Sequence, residues 1–77
     1  MARPPISIVS LPDKDELVAE LYQDDDLWAE ISQEKGHFEI EIYPCPNGGP
    51  WGFALDEVIY LLSHAKRELA GETYIEK

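Results

Sequence analysis

The stretch GHFEIEIY, residues 36–43, admits few conformations. Drawn as an extended chain, Phe38, Ile40 and Ile42 fall on one side and His37, Glu39, Glu41 and Tyr43 on the other. A period of two predicts a β-strand with one face dry and one face wet. The stretch before it, Leu27–Ser32, alternates in the same way. Leu27, Ala29 and Ile31 stand against Trp28, Glu30 and Ser32, and Gln33–Gly36 reads as a turn with Gly36 free to take a positive φ. Burial then selects a register. Ile31 faces Phe38, Ala29 faces Ile40 and Leu27 faces Ile42, because a slip by one residue would set Glu30 against Ile40. On the wet side this register pairs Ser32 with His37, Glu30 with Glu39 and Trp28 with Glu41.

The remaining elements follow from shorter signals. Ile6–Ser10 is β-branched and brief and predicts a strand. A first helix is expected from Leu11–Asp13 onward. Ser10 with Asp13, or Asp13 with Glu16, has capping spacing, and Pro12 suits a first turn. Leu17, Val18 and Leu21 would form its narrow apolar stripe, and Asp24–Asp26 would end it. Pro44–Gly52 is too rich in proline and glycine for regular structure. Trp51 and Phe53 are expected to pin this loop onto the helix that follows. That helix, Ala54–Ala70, carries a stripe of Leu55, Val58, Leu62, Ala65 and Leu69, widened by Ile59. Asp56 and Glu57 suit its start, Lys66 and Arg67 its end, and Gly71 the position beyond. The expected fold is therefore α+β, in the order β-α-β-β-α. Its small three-stranded sheet has order 1-3-2, with two helices packed on one face. One compact domain spans residues 1–77, with residues 1–5 and 72–77 as flexible tails.

Charge narrows the partner. Sixteen Asp and Glu oppose six Lys and Arg, for a formal net charge of -10. Eleven of the acids lie between Asp13 and Glu41. Such a balance disfavours nucleic acid and anionic membrane surfaces, both of which call for a basic face. It favours solubility and fast encounter with a basic protein. No apolar run reaches the ~20 residues of a membrane helix, and the N-terminal apolar patch is too short for a secretory signal. Cys45 is the only cysteine, so no intrachain disulfide forms, and a cytoplasmic location is expected.

The wet sheet face is the candidate binding site, formed by Trp28, Glu30, His37, Glu39, Glu41 and Tyr43. Like charges opposed across strands destabilise a sheet, so their presence calls for a reason. Carboxylates two apart on a strand are roughly 6.6–6.8 Å apart, a row able to stand in for phosphates in a nuclease groove. The plainer reading is a solvated face that keeps the sheet soluble. Asp24–Asp26 with Glu30 lacks the calcium-loop pattern, so no metal and no other cofactor is expected. Cys45 lies between two prolines, and no third group orients it with His37 or His64, so no catalytic set is expected. Asn47–Pro50 lacks the spacing and lysine of a phosphate loop. The chain thus reads as a small, acidic, non-enzymatic inhibitor, immunity-protein-like or antitoxin-like in character. It would neutralise a basic protein such as a nuclease toxin. The alternative is a structural or regulatory homodimer joined along a strand edge or a helix.

Overall fold

The computed structural model describes residues 4–13, 16–34 and 36–71. Its elements are β1 (Ile6–Val9), β2 (Val18–Gln23), β3 (Asp26–Glu34), β4 (His37–Ile42) and α1 (Leu55–Ala70). All neighbouring strands run antiparallel in the order β1-β2-β3-β4. This corrects the expected three-stranded 1-3-2 sheet with two helices. The first expected helix does not form: Val18–Gln23 is a strand, and no strand pair is parallel among the described residues.

The correction has a local cause. Within VAELYQ the run Ala19–Tyr22 satisfies a period of two as well as a helical stripe, because four residues are too few to separate the periods; Val18, on the Glu20 side, is itself fully buried. Ala19 and Leu21 are fully buried, whereas Glu20 and Tyr22 between and beyond them are half-buried. The aspartates that seemed to end a helix instead reverse the chain. Gln23 pairs with Asp26, and Asp24 takes φ 56 between them. Aspartate tolerates that left-handed conformation, and two-residue hairpin loops require it.

The register of β3 with β4 also differs from expectation. Ala29 faces Ile42, Ile31 faces Ile40 and Gln33 faces Phe38. The ladder continues to Glu34 opposite His37, with Gly36 at φ 85 in the short turn between them. The tighter turn slides the pairing by two residues. A two-residue slide keeps every side chain on its face, so burial could not distinguish the two registers.

The core lies between the sheet and α1. Ala19, Leu21, Trp28, Ala29, Ile31 and Ala65 form its buried cluster. Ala65, fully buried, lets the helix approach closely, and Leu61 is buried one turn earlier. Trp28 reaches the cluster through a β-bulge. Leu21 pairs with Ala29 and Tyr22 with Leu27, which leaves Trp28 as the extra residue. Its ring packs on Phe53 at 4.5 Å between centroids. Trp51 stacks on Phe53 at 5.9 Å and donates its indole N–H to the Tyr43 carbonyl at 2.8 Å. The Pro-Gly loop is thereby held across the end of the sheet.

Helix α1 packs on β1, β2 and β3 and leaves the outer strand less covered. Phe38 is half-buried, while Ile40 is 44% and Ile42 63% exposed. The expectation that all three are dry is therefore corrected for the two isoleucines. Gly71, at φ 78, closes the helix by donating its N–H to the Glu68 carbonyl. Residues 1–3 and 72–77 of the expected tails lie outside the described residues. Pro5, assigned to the first tail, accepts the Tyr22 N–H at 2.9 Å and so extends the pairing of β1. No helix among the described residues is long and apolar enough to cross a membrane.

Candidate functional site

The sheet face turned away from α1 is built by alternation on β2, β3 and β4. Glu20 stands opposite Glu30, and Glu30 opposite Glu41, so three glutamates line up across three strands. Glu39 stands one step along, opposite Ser32. Directly opposed Cβ atoms are roughly 5 Å apart. Two unit charges at that distance repel by about 3 kcal/mol at an effective dielectric of 20. Exposure of Glu41 reduces that figure, whereas Glu30 is nine-tenths buried.

Two tyrosines answer this repulsion. The Tyr43 hydroxyl donates to Glu30 Oε1 at 3.0 Å and reaches Glu41 Oε1 at 3.5 Å. The Tyr22 hydroxyl donates to Glu20 Oε1 at 2.9 Å. Hydrogen bonds to a charged acceptor contribute about 1.5–3 kcal/mol each, similar in size to the repulsion they oppose. The effect on Tyr43 is large. Its hydrogen bond to Glu30, its burial and the charges of Glu30 and Glu41 push its pKa from 10.0 up to about 12. Its proton therefore stays in place to bridge the carboxylates. On the margin of the face, His37 Nε2 lies 2.8 Å from Glu39 Oε2, with both side chains exposed.

Of the six residues expected on this face, Glu30, His37, Glu39, Glu41 and Tyr43 share it. Trp28 does not: the bulge turns it into the core under α1. Glu20 and Tyr22 join the face instead, and the sequence reading missed them by placing them on a helix. Their signal was the alternation within VAELYQ. Among the described residues, the basic side chains Lys66 and Arg67 both lie on α1, across the sheet from this face.

Other features are quieter. Cys45 donates its thiol to Asn47 Oδ1 at 3.1 Å, and the same oxygen accepts the Gly49 N–H at 2.9 Å. Both contacts shape a turn. His64 stacks on Tyr60 and sits 3.5 Å from Glu68 on the next helical turn. Among the described residues, no group of three His, Cys, Asp or Glu side chains is placed to hold a metal ion. A depression of about 640 Å³ opens beside Trp28, Phe53, Val58 and Leu61, with Asp24 and Glu57 at its lining. The Trp28 indole N–H is buried there without an acceptor among the described residues. Comparison with family models, curated proteins and solved structures finds no match to this chain.

Proposed function

We propose that the chain is a small binding protein that neutralises a basic protein partner, in the manner of an inhibitor, immunity protein or antitoxin. One observation carries the reading. Glu20, Glu30 and Glu41 oppose one another on adjacent strands, with tyrosine hydroxyls but no basic side chain of the described residues set against them. A Lys or Arg row docked over that face relieves the repulsion at the moment of binding. Tyr43 supplies aromatic area at the same place, as interface anchors do. The net charge of -10 adds long-range steering toward a basic surface. A cytoplasmic setting fits the one free thiol of Cys45.

The test is kinetic. The natural first candidate is the product of the neighbouring gene, if basic, and its association rate is measured against ionic strength. The rate should fall steeply with salt, and the double substitution Glu39→Lys/Glu41→Lys should slow it at least tenfold at low salt. A rate indifferent to salt and to both reversals would remove the proposal.

A further inference from the structure

The open edge of the sheet carries the same partner further. From the backbone geometry of β4, we infer that the partner contributes an extended segment that pairs with β4, with basic and apolar residues in strict alternation. The inference rests on the proposed function and specifies how that binding occurs.

Three observations place the segment. First, β4 is one of the two edges of the sheet, and among the described residues it pairs with β3 alone, so its outer backbone groups meet no other described strand. The Tyr43 N–H donates to the Trp28 carbonyl across the β3–β4 pair at 2.9 Å. Alternation then turns the groups of Glu41 and Glu39 inward and those of Phe38, Ile40 and Ile42 outward. Second, the guard on this edge is selective. No proline, lysine or bulge interrupts His37–Ile42, and its charges are Glu39 and Glu41, which repel an acidic strand but not a basic one. Third, the two faces of β4 differ in chemistry. Glu39 and Glu41 lie on the acidic side. Ile40 and Ile42 are exposed on the other, beside an apolar hollow of about 190 Å³. Ile31, Phe38, Ile40 and Leu62 line that hollow, and Lys66 bridges its rim with Nζ 5.6 Å from the Phe38 ring.

Residues opposite one another on adjacent strands share a face. An added strand therefore meets Glu39 and Glu41 with one set of side chains and Ile40 and Ile42 with the other. Lys or Arg in the first set and Val, Ile or Leu in the second satisfy both. Main-chain bonds to Phe38, Ile40 and Ile42 supply the rest, as in other strand-addition complexes.

A second copy of this chain fits the edge poorly. A twofold antiparallel pairing of β4 with itself must keep like faces together. With Ile40 on the axis, Glu39 opposes Glu41 of the copy. One residue either way along the allowed registers, Glu39 opposes Glu39 or Glu41 opposes Glu41. Each of these three registers sets carboxylates face to face between chains that each carry -10. Charge thus selects a basic strand over a homodimer.

The experiment uses the full chain, isotope-labelled, and two capped ten-residue peptides of identical composition. One alternates Lys and Val; the other holds five Lys followed by five Val. The alternating peptide should bind at least tenfold tighter at equal ionic strength. It should slow hydrogen exchange at the Phe38, Ile40 and Ile42 amides, which should exchange fast without it. Ile40→Pro, which removes an outward N–H that β3 does not use, should cost the alternating peptide at least tenfold. Because the exchange measurement needs no variant, a misfolded Ile40→Pro protein does not weaken the test. Equal affinity for the two peptides, with sensitivity to Glu39→Lys/Glu41→Lys, would overturn strand addition while leaving the acidic-face reading intact. No binding by either peptide would overturn both. A concentration-dependent dimer that protects the same three amides would also overturn the inference, in favour of self-pairing.

Discussion

β3 and β4 carry the same alternating pattern, yet one strand is sealed and the other open. Ile31 on β3 is 6% exposed; its cross-strand neighbour Ile40 is 44% exposed, and Ile42 is 63% exposed. The residues are alike in kind, so the difference comes from what lies above them. Helix α1 crosses β1, β2 and β3, and its Ala65 lets it settle there. Sixteen residues of helix are about 10 Å wide, roughly two strands of spacing, so one strand of a four-stranded sheet goes short of cover. Periodicity thus shows which side of a strand is apolar. Whether that side is dry depends on the reach of its neighbour.

Substitutions on the two sides of this boundary should differ in kind. Trp28→Ala should have the largest effect, a loss of about 3–5 kcal/mol in urea unfolding. That loss is comparable with the whole stability of a chain this size, at roughly 0.05–0.15 kcal/mol per residue. Trp28→Phe should cost far less, because it also removes a buried N–H that has no acceptor among the described residues. Next comes Ile31→Ala, at about 2–5 kcal/mol by the same measurement. If Ile31→Ala and Ile42→Ala cost the same, the boundary drawn here is wrong.

Tyr43→Phe belongs between these extremes. It strips the single O–H donor that Glu30 and Glu41 share and should cost about 1–3 kcal/mol at neutral pH. The pH dependence sharpens this. The folded pKa of Tyr43 is raised from 10.0 to about 12, so the fold favours the protonated form. Its stabilisation is complete below pH 10 and is lost as pH rises through 12. Unfolding followed from pH 9 to 12 should therefore show a decline that Tyr43→Phe lacks. The smallest effect is expected for Ile42→Ala, within about 0.5 kcal/mol, in keeping with a side chain in water.

The sequence showed β1, β3, β4 and α1 close to their observed bounds, because each has either a clean period or strong end signals. Asp56, Glu57 and Gly71 marked the helix, and Gly36 marked a turn. What stayed hidden was short or non-local. Val18–Gln23 fitted two periods at once, and Asp24–Asp26 fitted both a helix stop and a hairpin loop. The bulge at Trp28 leaves no trace in a pattern of apolar and polar residues, since it depends on how β2 and β3 are matched across space. That single insertion moved Trp28 from the acidic face to the core. Glu30, His37, Glu39, Glu41 and Tyr43 were legible as one face because they alternate on two neighbouring strands. Glu20 and Tyr22 were lost with the strand that holds them.

The up-and-down order of the strands also bears on how the chain matures. Each strand meets the one made just before it, so pairing needs little loop closure and should be quick. The helix is synthesised after all four strands, yet it brings Leu61 and Ala65 to the cluster. A nascent chain therefore presents a finished sheet with its oily side bare until residues 55–70 leave the ribosome, and this is the interval in which it is most open to chaperones and to clumping.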